Sequence, residues 1–161
     1  MVDIKVANVG FDQNDVLKLF DFGFALELPP ESKRYTGNDG KSEKKRSEII
    51  FTLDGGVGTP RYMAPELLLY EPYNCKADVY SASLVGWETM TLEKAYAESI
   101  ASPFFRDCVA KYDDRPHVPK KWSKSLRKTI KDGWAPEIEN RLTSSQMRQA
   151  LEAELENFRQ A

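Results

Sequence analysis

A chain of 161 residues with 41% apolar and 30% charged residues has the make-up of one soluble globular domain. Its formal charge of -2 comes from mixed signs and gives no indication of bulk affinity for nucleic acid or an anionic membrane. No apolar run approaches the roughly 18 residues that a spanning helix needs, and Met1-Val2-Asp3-Ile4-Lys5 lacks the apolar core of a signal peptide.

In chain order, Val6 to Phe11 and Val16 to Phe20 are short apolar runs separated by the polar turn Asp12-Gln13-Asn14-Asp15, which predicts a β-hairpin. Residues 29 to 48 open with Pro29-Pro30 and hold almost no apolar side chain, so a mobile loop is expected there. Lys44-Lys45-Arg46 within it reads as a solvated charge cluster, with a localisation signal as the alternative. After Pro65 the pattern turns helical. Ala77 to Met90 carries few charges and is apolar on all sides, the mark of a buried central helix. Phe104 to Tyr112 and Trp122 to Ile130 are shorter amphipathic segments. Thr143-x-x-Gln146 fits a capping box, after which Met147, Ala150, Leu151, Leu155 and Phe158 recur at helical spacing. The expected fold is mainly α with a small β-hairpin: one hairpin, a long loop and about five helices. Cys75 and Cys108 have no metal-ligand spacing and read as free, buried thiols of a reducing compartment, hence the cytoplasm, with the nucleus left open. His117 is the only histidine, which leaves no material for a histidine triad or zinc site.

Asp21-Phe22-Gly23 follows directly on the second strand. A carboxylate at a strand end, followed by glycine, can face a divalent cation while the backbone turns away; alone, the tripeptide is a weak signal and more often an ordinary turn. It stands between two further motifs, Asp3-x-Lys5-x-x-Asn8 and Gly58-Thr59-Pro60-Arg61-Tyr62-Met63-Ala64-Pro65-Glu66. The three in this order, around a hairpin and a polar loop, do not arise readily by chance.

Together they resemble the signature set of eukaryotic protein kinases, and the resemblance covers nearly the whole chain. Asp3 to Asn8 is similar to the end of the kinase catalytic loop, Asp21-Phe22-Gly23 to the magnesium-binding motif, and Ala64-Pro65-Glu66 to the end of the activation segment. Asp78-Val79-Tyr80-Ser81 resembles the start of the central helix of the large lobe. The implied organisation is a partial kinase domain over 1–161. Residues 1–8 form the catalytic loop, 21–66 an activation segment with the polar insertion 29–48, and 67–161 a helical subdomain. The Gly-rich loop, the Val-Ala-x-Lys strand and the αC glutamate of the small lobe have no counterpart, and Met1-Val2 stands where His-Arg is usual. The chain therefore reads as a truncated kinase that starts inside the catalytic loop.

The resemblance implies roles residue by residue. Asp3 takes the proton of the substrate hydroxyl, Lys5 neutralises charge on the transferring phosphoryl group, and Thr59 hydrogen-bonds beside both. Asn8 and Asp21 hold the Mg2+ ions that bridge the phosphates of ATP. Lys5 together with Gly58-Thr59-Pro60 favours Ser/Thr over Tyr of a protein substrate. Glu66 and Arg141 form a buried bidentate pair, and Asp78 accepts backbone hydrogen bonds from the catalytic loop. Ser42, Ser47 and Thr52 offer hydroxyls for phosphorylation. Apolar surface near the hairpin is expected to stand exposed, open to docking by a small lobe or partner protein, so the chain alone should transfer phosphate weakly or not at all. The alternative is a non-catalytic, kinase-like interaction module whose motif residues are relics.

Overall fold

The computed structural model describes residues 3–26 and 58–160. The polar insertion 29–48, Lys44-Lys45-Arg46, Ser42, Ser47 and Thr52 lie outside the described residues. Strands β1 (Val9–Phe11) and β2 (Leu17–Leu19) pair antiparallel in the register Val9↔Leu19, Gly10↔Lys18, Phe11↔Leu17. The turn between them is built by one side chain. Asp12 Oδ1 accepts the N–H groups of Asn14 (2.8 Å) and Val16 (3.1 Å), and Asp15 takes a left-handed conformation at φ 58°. Those N–H groups hold the Asp12 carboxyl below the usual carboxylate range. The first strand is shorter than the apolar run suggests. Val6–Asn8 closes a 3-10 turn, with Asn8 N–H donating to Lys5 O at 2.9 Å. Asn8 cannot leave its amide unpaired when buried, and the turn directs it back to the Asp3 carbonyl.

The helices follow: α1 (Pro65–Leu68), α2 (Lys76–Thr91), α3 (Phe105–Lys111), α4 (Lys124–Gly133) and α5 (Ser144–Gln160). The expected central helix is α2. Val79, Tyr80, Leu84 and Trp87 are buried along it together with Ser81, Ser83 and Glu88. Its buried serine hydroxyls find backbone acceptors: Ser83 Oγ donates to Val79 O within the helix at 2.8 Å, and Ser81 Oγ to Tyr62 O outside it at 2.7 Å. Helix α4 crosses it at very close range. A Cβ on Gly133 would lie 2.1 Å from Ser83 Oγ, so only glycine permits this approach.

Helix α4 is capped by Ser123, whose Oγ accepts Leu126 N–H at 3.0 Å. Helix α5 carries the expected capping box: Gln146 Oε1 accepts Thr143 N–H at 2.8 Å and Thr143 Oγ1 accepts Gln146 N–H at 3.2 Å. The apolar stripe of α5 departs from expectation. Met147 is buried, but Leu155 and Phe158 are exposed. The spacing is helical as read; burial fails because α5 runs for 17 residues and its main support, α4, for 10. The cysteines also correct the sequence reading. Both are free thiols as expected, but Cys75 is exposed and Cys108 only half-buried.

One buried ion pair ties the body together. Arg141, 1% exposed, meets Glu66 in a fork, with Nη1···Oε1 at 2.7 Å and Nη2···Oε2 at 3.0 Å. Its remaining donors reach Ala135 O (3.0 Å), Lys76 O (3.2 Å) and Pro136 O (3.3 Å), so all five guanidinium N–H groups have acceptors. Its cation also lies over the Tyr80 ring at 5.2 Å. Removing one charge strands the other in a buried site. Glu66→Gln is expected to lower the unfolding free energy by about 3–5 kcal/mol, read as a fall in the urea midpoint; a change under about 1 kcal/mol would show that the pair behaves like a surface contact.

Candidate active site

The 3-10 turn Val6–Asn8 and a second one, Pro60–Tyr62, both pack on α2 or its neighbours and bring distant segments together. Asp3 is the centre. It is 7% exposed, and its carboxylate receives three groups. Thr59 N–H donates to Oδ1 at 2.9 Å, Thr59 Oγ1–H donates to Oδ2 at 3.1 Å, and Lys5 Nζ sits 2.5 Å from Oδ2. Lys5 Nζ also donates to Thr59 Oγ1 at 3.2 Å, closing a triangle of acid, base and hydroxyl. Gly58 makes this possible. At φ 129° it adopts a conformation that side-chain-bearing residues rarely take, and this aims Thr59 N–H at Asp3.

Burial by itself raises the Asp3 carboxyl. The hydrogen bonds from Lys5 and Thr59, with the Lys5 charge, outweigh it and hold the group below its ordinary value. A carboxylate kept ionised at the edge of the protein beside an ammonium can orient a hydroxyl and take its proton.

Asn8, also buried, donates Nδ2–H to Asp3 O at 2.9 Å, which fixes its amide and leaves Oδ1 accepting no hydrogen bond among the described residues. Its backbone carbonyl accepts Phe20 N–H at 2.7 Å, so the end of β2 is pinned beside it. Asp21 follows at φ 57°, exposed, with Oδ1 accepting Gly23 N–H at 3.3 Å. The structure thus brings Asp3, Lys5, Asn8 and Thr59 into one network. It does not draw the Asp21 carboxylate into that network, although Asp21 is one residue beyond the Phe20 anchor. Asp78 lies half-buried in the first turn of α2.

Sequence reading missed Glu88. It is buried on α2, where Oε2 accepts Tyr62 O–H at 2.8 Å and Oε1 accepts Ala95 N–H at 2.7 Å. Arg61 Nη1 closes the link by donating to Ala95 O. Burial and then Glu88 push the Tyr62 phenol up to about 12. This clamp fixes the segment just after Thr59 onto the helical body. The available signal was an acid at 88 in a helix whose other charges, Lys76 and Asp78, lie in its first turn.

Because the Asp3 carboxyl lies lower in the folded chain than unfolded, it contributes stability that is present above the unfolded value of 3.8 and lost as pH falls through the folded value. Thr59→Val removes one of the hydrogen bonds responsible. The expected outcome is an Asp3 carboxyl titrating closer to 3.8, followed by carbon-detected NMR. Stability at neutral pH should fall by about 0.5–1.5 kcal/mol, and an unmoved titration would deny the hydroxyl any part in holding the charge.

Residues 1–153 match the family pattern described as protein kinase domain. Among curated relatives, the chain is 33% identical over 134 residues to dual specificity protein kinase shkB of Dictyostelium discoideum, covering 83% of this chain and 18% of the relative. It is 29% identical over 150 residues to shkC of the same organism, covering 93% and 26%. It is 31% identical over 150 residues to serine/threonine-protein kinase STY46 of Arabidopsis thaliana, covering 93% and 23%. The chain therefore spans roughly a fifth to a quarter of the length of these relatives.

Proposed function

The chain belongs to the protein kinase family, and we propose that it carries the phosphotransfer half of a kinase site acting on Ser/Thr hydroxyls of protein substrates. The observation that carries this reading is the closed triangle of Asp3, Lys5 and Thr59, with Asn8 locked beside it. Asp3 orients the acceptor hydroxyl and takes its proton, a contribution of about 10²–10⁴-fold in rate. Thr59 holds the Asp3 carboxylate in place, and Lys5 presents its ammonium to the phosphoryl oxygens as negative charge builds there. Asn8 Oδ1 and the exposed Asp21 carboxylate are hard oxygen donors with coordination capacity left free among the described residues, which fits Mg2+, a cation that keeps some of its waters. When bound, ATP with Mg2+ supplies the phosphoryl group and offsets its charge. Asp78 and the Glu66–Arg141 fork hold the catalytic loop and activation segment on the helical body.

The hairpin side is open. Phe11 is 69% exposed, Leu17 60% and Phe22 58%, with Phe20 and Phe24 also exposed. Apolar surface of this density calls for a cover, and we assign it to a small lobe that closes over the nucleotide. With the site open, water screens the phosphate contacts, so these 161 residues alone transfer phosphate weakly or not at all. We place the protein in the cytoplasm. The relatives described as dual specificity kinases make Tyr a second acceptor to be measured beside Ser and Thr.

The test uses an extended polypeptide carrying a small lobe ahead of Asp3, assayed on Ser, Thr and Tyr peptides. Asp3→Asn is expected to lower kcat by about 10²–10⁴-fold with little change in nucleotide affinity, and Asp21→Asn to abolish magnesium-dependent ATP binding. Absence of any magnesium-dependent nucleotide binding in the extended polypeptide would favour the non-catalytic interaction module.

A further inference from the structure

The overall charge of -2 conceals a strong segregation. Between 120 and 131 the chain carries six cations, Lys120, Lys121, Lys124, Arg127, Lys128 and Lys131, and no acid. The remainder is correspondingly net acidic. The fold gathers these charges. Lys124, Lys128 and Lys131 stand at i, i+4 and i+7 of α4 and so share one face. The opposite face buries Thr129, Ile130 and Gly133 against the core, with Leu126 packed beside them. All five lysines are exposed. Only Lys128 has a partner, Asp132 one turn on; Lys120, Lys121, Lys124 and Lys131 hold no ion pair or side-chain hydrogen bond among the described residues. Asp113, which shares an open cleft with Lys131, and Asp132 are the acids at its border.

We infer that this α4 face docks on an anionic membrane surface. Like charges gathered on one face repel, by a few tenths of a kcal/mol for each helical neighbour pair, and among the described residues only the Asp132 contact offsets this by an ion pair. An external negative surface does. The composition chooses among anionic partners. Arginine forks read discrete carboxylates and phosphates in fixed geometry, whereas lysine acts as a compact point charge. Here five of six cations are lysine, and the one guanidinium, Arg127, is half-buried. That suits a diffuse field, of the kind a leaflet of acidic lipid headgroups presents. Single-stranded nucleic acid is the poorer fit. Trp122, the only aromatic in the stretch, is packed against the core and offers no ring for base stacking. The net acidic remainder would hold the molecule with α4 toward the lipid and the rest directed away.

Co-sedimentation of the protein with phosphatidylcholine vesicles, with and without about one third phosphatidylserine, tests the inference. Binding is expected to the acidic vesicles only, and to weaken steeply as salt rises above about 0.1 M. Each lysine removed should weaken it about fivefold, so Lys124→Gln/Lys128→Gln/Lys131→Gln should weaken it about a hundredfold. Lys94→Gln, on a different surface, should leave it unchanged. If the triple variant melts early, Lys120→Gln/Lys121→Gln, which precedes the helix, should still show about a 25-fold loss. Equal binding to neutral vesicles, no binding to acidic ones, or equal losses in Lys94→Gln would overturn the inference. Displacement from the vesicles by duplex DNA at matched phosphate concentration would overturn it in favour of a nucleic-acid partner.

Discussion

A guanidinium removed from water must find an acceptor for each of its N–H groups inside the protein, and the whole arrangement follows from how Arg141 does so. Its five acceptors come from residue 66, from the first turn of α2, and from the loop at 135–136. Three parts of the chain are thereby fixed to one planar group. Lys76 adds to the same junction by donating its ammonium to Ile138 O at 2.9 Å. Glu66 ends the segment that begins at Gly58, so the position of Thr59 under Asp3 is inherited from this buried fork and from the Tyr62–Glu88–Ala95 clamp. In the proposed reading the chemistry is done by Asp3, Lys5, Asn8 and Asp21, but the Glu66–Arg141 fork and the Glu88 clamp determine where Thr59 stands against them.

The two aspartates nearest the proposed chemistry sit in contrasting environments. Asp3 is enclosed, held by three donors, and its charge is stabilised by hydrogen bonds that exceed the burial penalty. Asp21 is exposed, and among the described residues its carboxylate has a single local contact, to Gly23 N–H. Enclosure suits a group that must act on one hydroxyl in one orientation. Openness suits a cation ligand, which binds only when its other ligands arrive with it.

Much of this was legible in the residues because the deciding interactions are local. Asp12 and its turn, the Thr143–Gln146 box and the uniformly apolar stretch around Leu84 each specify their element within a few positions. The site motifs were legible because their residue types and order constrain one another. What escaped depended on partners far away in sequence. The exposure of Leu155 and Phe158 follows from the length of α4, which their own spacing cannot report. The exposure of Cys75 follows from which side of the α2 N-terminus meets the body. The place of Glu88 depends on Tyr62 and Ala95, which lie 26 and 7 positions away in sequence. Net charge, being a sum, could not show that six cations fall on one stretch around α4.

Asp3 and Thr59 are 56 positions apart, yet they are joined by hydrogen bonds of 2.9 and 3.1 Å. Bringing such separated points of an unfolded chain together has an entropic penalty that grows only as the logarithm of the intervening length, about 0.6 kcal/mol for each doubling. Lengthening or shortening the connection between Leu26 and Gly58 by a dozen residues therefore changes this entropic penalty by only a few tenths of a kcal/mol. Loop-closure entropy therefore places little constraint on how many residues separate the two ends of the cluster.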